Sequence, residues 1–506
     1  MHKKKIFSIE ELAKKADALH AAGKKIVLCH GDFDLLHIGH IRHLQHAKSR
    51  GDVLVVTITP DRYINKGPHR PVFTESLRAE AVAALDFVDF VAINQWQSAV
   101  ETIQLLKPQV YAKGANSRSA QHYSPERLTN EEKAVVVHGG EMIFTEDISF
   151  STSGLINRYL PVFSREVSDY LVLFTASHSA EDVLRYLQDV RTLKVLTLGE
   201  AIIDEYQYCY TLGKSGKEPI LAAQYVSNEV FAGGILAVAN HTAAFCDQVG
   251  VLTLLGERDS YEDFIRKMLN PNISTMFHYM DGAPTILKRR FLELYPLQKL
   301  FEVYIMDDKI SEACSQVLYS HLREVLPQYD LVIVTDYGHV MLTPEVIELL
   351  CTQAKFLAIN TQTNAANRGF NTVSKYSHAD YICVSESELR LEARNRRRDL
   401  KEIICEVAER MRCERMLVTR GSQGSLVYHK KDGFFEAPAL TSQVTDRVGS
   451  GDAVLAITSP CVAQGVPMDV VSFIGNAVGA QAVATIGHRD YMEREALGRY
   501  IQALLK

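Results

Sequence analysis

The sequence predicts an α/β protein made of two doubly wound domains, each a parallel sheet with helices on both faces. Three observations predict it. Short continuous apolar runs such as KIVLCHG and KVLTLGEAIID alternate with stretches of helical period, as strands buried between crossover helices do. This pattern stops in a polar, helix-rich segment at about 155–190 and then restarts. Glycine-bearing turns follow strand ends in both halves, the position where doubly wound sheets bind ligands. A chain of 506 residues is long enough for two or three domains, each with its own core.

In order along the chain, SIEELAKKADALHAAGKK reads as an amphipathic helix, with Ser8 as N-cap and Glu11 three residues on. KIVLCHG is a buried strand, IRHLQHAKSRG a helix ending at Gly51, and DVLVVTIT a second buried strand. RAEAVAALDF, FVDFVAI, SAVETIQLLK and PQVYAKG continue as helix, strand, helix and strand. After the polar segment come KVLTLGEAIID, a helix from about 235 to 245, VGVLTLLG, and a β-rich element containing TILKRRFLE and KLFEVY. DLVIVTDYG, KFLAINT, ADYICVSESE and RMLVTRGSQGSLVYH follow, and DRVGSGDAVLAITS turns into a helix. The boundaries expected are a first domain over 1–165, a helical linker over 166–190, and a second domain over 191–506 with a small β-lid.

Composition narrows the function classes. The chain is 47% apolar and 23% charged, as soluble globular proteins are. Its net charge of −6 argues against a broad nucleic-acid surface. No run reaches the ~18–20 apolar residues of a membrane span, and no apolar segment follows MHKKKIFSIEEL as in a secretory signal. The nine cysteines lack metal-site spacing and read as thiols of a reducing compartment, so a cytoplasmic location is expected.

The first candidate site is HGDFDLLHIGH at 30–40. His37 and His40 are spaced i,i+3, so they share a face at the start of a helix. That end presents free N–H groups and a positive dipole, both suited to phosphate, and Gly31 and Gly39 let backbone approach a ligand. The string resembles the GxFDxxHxGH pattern of cytidylyltransferase-like nucleotidyltransferases, with Gly31, Phe33, Asp34, His37, Gly39 and His40 matching. NKGPHRPVFTESLRAE resembles a later family segment and puts Lys66, Arg70 and Arg78 near phosphates. YAKG does the same for Lys113, and FSTSGLI for Ser151, Thr152 and Ser153 at a helix start. The resemblance implies in-line attack of an acceptor phosphate on the α-phosphorus of ATP or CTP, with Mg²⁺ on the phosphates and His37, His40 and Lys66 as catalytic groups. HIGH also occurs in class I aminoacyl-tRNA synthetases, but the KMSKS-type loop they need is not found.

The second candidate site is DRVGSGD at 446–452. N–H groups of Gly449, Ser450 and Gly451 suit an anion hole, and Asp452 at the helix start suits a base that takes a hydroxyl proton. The domain resembles ribokinase-like sugar kinases. That resemblance implies a sugar site from Asp204 (GEAIIDEY), Gly233 and Gly234 (FAGG), and Lys288 and Arg290 (TILKRRFLE). It implies an ATP site from Thr419, Gly421 and Gly424 (TRGSQG) and Asn476, with Glu388 toward a metal. Within DRVGSGD, Arg447 replaces a small hydroxyl residue and Ser450 an alanine of the family signature, and three further positions depart from its pattern: Ala237 and Ser385 stand where it has asparagine, and His339 where it has lysine.

Together the two resemblances cover nearly the whole chain. Both occur in the bifunctional heptose-7-phosphate kinase/heptose-1-phosphate adenylyltransferase family of lipopolysaccharide (ADP-heptose) precursor synthesis, where the kinase domain comes first; here the order is reversed. The resemblance implies a cytoplasmic, homodimeric enzyme acting on sugar phosphates and nucleoside triphosphates, with neither nucleic acid nor membrane as partner. It would phosphorylate a sugar or sugar phosphate with ATP, and transfer AMP or CMP to a sugar 1-phosphate. The three departures keep a second reading open, a nucleotidyltransferase whose kinase-fold module only binds ligand or dimerises.

Overall fold

A computed structural model describes residues 5–64, 71–114, 125–145, 163–295, 297–307, 309–365 and 367–505. The chain divides into two compact units, Met1–Ser164 together with Gly498–Lys506, and Arg165–Leu497.

The first unit holds six strands, β1 Ile6–Phe7, β2 Ile26–Gly31, β3 Val53–Ile58, β4 Phe90–Ile93, β5 Val110–Gly114 and β6 Glu141–Thr145. Its helices are α1 Ile9–Ala21, α2 Ile38–Lys48, α3 Glu75–Ala83, α4 Val100–Leu106 and α5 Pro125–Val137. The sheet order is β1-β4-β3-β2-β5-β6, and every pairing is parallel. Residues of β2 and β3 are almost wholly buried, which explains their unbroken apolar runs. Ser8 caps α1 in the capping box that its spacing from Glu11 predicts. The chain leaves β2 toward β3 on one side and returns to β5 on the other, so the topological switch lies between β2 and β5. Ligand crevices open beyond the carboxyl ends of strands at such a point. His30-Gly31 and Lys113-Gly114 are those ends.

The second unit carries a nine-stranded sheet in the order β11-β10-β7-β14-β15-β16-β17-β18-β19. Its strands are β7 Lys194–Gly199, β10 Gln248–Arg258, β11 Ile273–Pro284, β14 Leu331–Asp336, β15 Leu357–Thr361, β16 Tyr381–Ser385, β17 Arg415–Thr419, β18 Ser425–His429 and β19 Gly433–Ala437. Only β17-β18-β19 pair antiparallel, at one edge. A separate four-stranded lid has the order β13-β12-β8-β9, with β8 Ala201–Lys214, β9 Leu221–Gly234, β12 Ile286–Glu293 and β13 Gln298–Ile305. The switch in the large sheet lies between β7 and β14. There Glu200 accepts the backbone N–H groups of Tyr337 (3.1 Å) and His339 (2.9 Å). Burial first, then the neighbouring Asp336, push the Glu200 carboxyl up to about 7.

The remaining helices are α6 Arg165–Ser177, α7 Ala180–Asp189, α8 Ile235–Ala243, α9 Glu262–Met268, α10 Glu312–Val325, α11 Pro344–Gln353, α12 Glu386–Glu392, α13 Leu400–Arg410, α14 Ser450–Ala463, α15 Met468–Ala482 and α16 Arg494–Leu504. The segment expected as a linker forms α6 and α7 and packs as part of the second unit. Val167, Leu171 and Phe174 bury one stripe of α6, Phe174 stacks on Phe473 at 4.3 Å, and His178 Nε2 lies 2.7 Å from Asp469. Four strands go beyond the sequence reading, the two-residue β1, the half-exposed β6 and β11, whose apolar patterning is weak, and the short edge strand β19.

In the first unit, Lys113 Nζ lies 2.9 Å from Glu131 Oε2, with both side chains almost fully buried, and Tyr111 Oη donates to the same carboxylate oxygen at 3.1 Å. Removing one member of a buried pair strands the other charge. Glu131→Ala should therefore lower the stability of this unit by about 3–5 kcal/mol. Urea unfolding followed by the fluorescence of Trp96, the single tryptophan of the chain, checks it.

Candidate active sites

The first site forms where β2 gives way to α2. His37 is the N-cap of α2, and its Nδ1 accepts the Gly39 N–H at 3.1 Å. An accepting Nδ1 puts the hydrogen of the neutral ring on Nε2. Partial burial lowers the His37 pKa, which favours this neutral form. The His37 and His40 rings stack at 3.9 Å, and Phe33 meets His40 edge-on at 5.4 Å. Phe33 and Leu35 both take positive φ, so the loop between strand and helix is sharply turned. A Cβ at Gly31 would press on the Phe33 ring at 3.2 Å.

Three of the residues predicted at this site make contacts within the protein, and two of them, Arg78 and Asp34, brace this loop. Arg78 is fully buried, and its guanidinium donates to the carbonyls of Asp32, Thr59 and Phe73 and to Asp61. Asp34 accepts the N–H groups of Val72 (2.8 Å) and Phe73 (3.1 Å). Lys113 is spent on Glu131. These groups satisfy buried backbone and charge, which a spacing pattern cannot distinguish from ligand contact. Lys66, Arg70, Ser151, Thr152 and Ser153 lie outside the described residues.

The second site is a cavity of about 330 Å³ at the carboxyl ends of β14, β15, β16 and β17, closed by the lid. Asp204, Gly234, Lys288 and Arg290 reach it from the lid side, and Thr419, Glu388, Gly449, Ser450, Gly451 and Asp452 from the sheet side. Gly233 stands just behind, and its missing side chain is the room that the Asp204 carboxylate occupies. Gly421, Gly424 and Asn476, predicted toward ATP, do not line this cavity. Gly424 has φ +78° and no space for a Cβ against the Ala437 carbonyl, so it serves the β17-β18 turn. Asn476 donates to Ser425 Oγ (2.6 Å) and the Ser472 carbonyl (2.8 Å).

Asp452 begins α14 and is buried. Tyr337 Oη (3.0 Å) and Gln362 Nε2 (2.6 Å) both donate to its Oδ1, leaving Oδ2 as the oxygen with which to take a proton. Burial raises its pKa against the opposing pull of His488, which is how a carboxylate becomes a stronger base. Lys288 lies over the rings of Tyr304 and Tyr337 at 5.2 and 5.5 Å, and burial lowers its pKa. Arg290 pairs with Asp204 and with Glu302.

The departures from the kinase pattern are also visible. Ala237 is buried in α8, and Asn240 is turned away to bond Met268 and Asn270. Ser385 caps α12 in a capping box with Glu388, whose other oxygen accepts the Thr363 N–H at 3.1 Å. His339 Nε2 lies 3.3 Å from Asn364 Nδ2. Among the described residues, no group of three or more His, Cys, Asp or Glu is arranged to hold a metal.

Sequence reasoning passed over Asp446, Tyr337, Gln362 and His488. The first of these is the opening residue of DRVGSGD and carried a signal, since it starts the motif. Its carboxylate accepts Tyr206 Oη (2.6 Å), Lys299 Nζ (2.6 Å), Gly487 N–H (3.0 Å) and Val448 N–H (3.2 Å). Burial alone would raise this carboxyl, but the bonds from Lys299 and Tyr206 outweigh it and hold it below the ordinary range. A lowered folded-state pKa stabilises above the unfolded-state pKa, and that stabilisation is lost as pH falls through the folded value. Asp446→Ala should cost about 3–5 kcal/mol at neutral pH. The deficit should shrink toward acid, as measured by denaturation across pH.

Comparison with known proteins agrees with this architecture. The model of the pfkB family carbohydrate kinases matches residues 192–494, and that of the cytidylyltransferase-like family matches 28–158. A "Bifunctional protein HldE" of Geobacter metallireducens is 38% identical over 168 residues, 32% of either chain. One of Campylobacter fetus is 44% identical over 115 residues, 22% of this chain and 24% of that one. The chain thus matches about a third or less of the length of these curated relatives. Escherichia coli phosphofructokinase-2, crystallised with potassium, covers 62% of this chain with all of its own at 14% identity and a TM-score of 0.51, a likeness of fold. With the kinase model spanning more than half of its length, the chain belongs to the pfkB family of carbohydrate kinases.

Proposed function

We propose that the chain is a bifunctional enzyme of sugar-nucleotide synthesis. Its second unit would phosphorylate a heptose-like sugar or sugar phosphate with ATP, and its first would transfer AMP or CMP to a sugar 1-phosphate. The observation that carries the reading is the cavity in which Asp204, Asp452 and the 449–451 turn converge.

In the kinase reaction, Asp204 holds acceptor hydroxyls while Lys288 and Arg290 supply positive charge for an anionic acceptor. Asp452 Oδ2 takes the proton of the reacting hydroxyl as its oxygen bonds the γ-phosphorus. The bond from that phosphorus to the bridging oxygen breaks, and ADP leaves. The N–H groups of 449–451 hold the phosphoryl oxygens in transit. Magnesium fits here as a cation carried mainly by nucleotide phosphates and water, with Glu388 and Asp452 as the cavity carboxylates facing it; it would shield phosphate charge.

In the other reaction, an oxygen of the acceptor phosphate bonds the α-phosphorus and pyrophosphate leaves. The α2 N-terminus, a hydrogen donated by His37 Nε2, His40 and Lys66 stabilise the charge that develops. The enzyme would act as a cytoplasmic homodimer through its lid. The exposed Tyr210, Leu212, Leu221, Tyr225, Phe301 and Val303 on β8, β9 and β13 support that interface. Among the described residues no helix is long and apolar enough to cross a membrane.

Mass spectrometry after incubation with ATP, CTP, Mg²⁺ and a panel of heptose, hexose and pentose phosphates tests the proposal. Asp452→Asn should cut ADP release about 10²–10⁴-fold and leave pyrophosphate release intact; His40→Ala should do the reverse. If both folded variants lose both activities, the two-site reading fails. Because Asp452 must be ionised to act and its pKa is raised, the acid limb of kinase kcat/KM should lie above the ordinary aspartate range. A pH–rate profile measures it.

A further inference from the structure

His488 stands on the loop after α15, outside every motif, yet it lines the kinase cavity with its side chain only 5% exposed. Its Nε2 lies 3.5 Å from Asp204 Oδ2. That approach is of ion-pair length and longer than an ordinary hydrogen bond. The opposite edge of the ring, Cε1 and Nδ1, lies against Gly449. A Cβ at Gly449 would overlap that edge, and one at Gly233 would come within 3.2 Å of Cδ2. Two glycines thus clear the space in which the imidazole sits, wedged between the acceptor clamp and the first residue of the anion turn. The Nδ1 atom is buried and has no hydrogen-bond partner among the described residues. A buried ring nitrogen without a partner is costly and calls for one that arrives later.

We propose that His488 completes the anion hole, its ring held beside Asp204 and its Nδ1–H donated to an oxygen of the phosphoryl group held at 449–451. This rests on the phosphotransfer reading of the cavity. The charged groups that line the cavity with it are Asp204 on β8, Lys288 and Arg290 on β12, Glu388 on α12, Arg447 in the turn and Asp452 on α14, and the buried His241 of α8 lies near enough to sense its charge. Asp204 is shared with Arg290. In chemical terms the kinase site would read the transferring group through a side chain as well as through backbone N–H groups.

The test compares His488→Asn, His488→Gln and His488→Ala in the full chain. An asparagine amide places N–H near the position of Nδ1, and a glutamine amide near that of Nε2. Calorimetry with Mg²⁺ uses ADP and ADP plus aluminium fluoride, a mimic of a phosphoryl group in transit. The expected result is that Ala and Gln lose the extra affinity for the fluoride complex by roughly 100-fold while ADP alone binds as before. Asn should keep most of it. Thermal unfolding checks that each variant folds, and the Asn and Gln pair suffices if Ala does not. Equal fluoride-complex affinity in all four proteins, or Gln matching wild type while Asn fails, overturns the proposal and leaves the kinase reading standing. A wild-type protein that binds the fluoride complex no better than ADP and releases no ADP from any sugar phosphate overturns both.

Discussion

The kinase half of this molecule depends on one buried carboxylate. Asp446 ties together four pieces that are far apart in the chain: Tyr206 of β8, Lys299 of β13, the turn at Val448 and the loop at Gly487. Two of these belong to the lid, and the other two flank the anion turn and the His488 loop. That carboxylate gives the lid and the glycine turn a hydrogen-bonded anchor in common. The ammonium of Lys299 and the phenol of Tyr206 repay the desolvation of the charge, which a carboxylate without donors could not meet.

Around that anchor, the cavity is built by pairing charge with burial. Asp452, Glu388 and Glu200 all have raised pKa values, and burial is the first cause in each case. Glu388 and Glu200 are satisfied by backbone N–H groups, so they shape the site. Asp452 is satisfied on one oxygen by two side chains, so it retains an oxygen for chemistry. The same logic separates the lid cations. Arg290 is committed to Asp204 and Glu302, whereas Lys288 has only tyrosine faces and weaker Coulombic partners, and burial lowers its pKa.

The first unit solves a different problem, which is to hold two histidines at a helix end. The strained loop at Phe33 and Leu35 is fixed from beneath by Arg78 and from the side by Asp34. Both are charged residues inside the recognisable motif region, and both face backbone. The His37 ring orients itself by accepting the Gly39 N–H of its own helix. One residue therefore caps the helix and fixes the orientation of its own ring.

Local patterning was enough for most of the fold. Buried strands such as Val53–Ile58 have no polar face, the capping box at Ser8 is a three-residue spacing, and glycine turns stand next to the strands they end. The same local signals exposed His37, His40, Asp204 and Asp452 as candidates. They did not show that Arg78, Asp34 and Asn476 bond backbone and neighbouring side chains, because a charged or polar side chain looks the same in sequence whether it meets a ligand or a carbonyl. They gave no hint of β1 and β6, whose residues alternate too little, or of the packing of 166–190 into the second unit. The sequence by itself determined the doubly wound architecture, the order of the two units and the identity of the glycine and histidine turns, since each rests on neighbours within about a helical turn or a strand. Only the tertiary structure decided that Asp446 meets Lys299 across 147 residues, and that His488 meets Asp204 and Gly449. Hydrogen bonds and steric space are set by distance in three dimensions, and separation along the chain leaves that distance open.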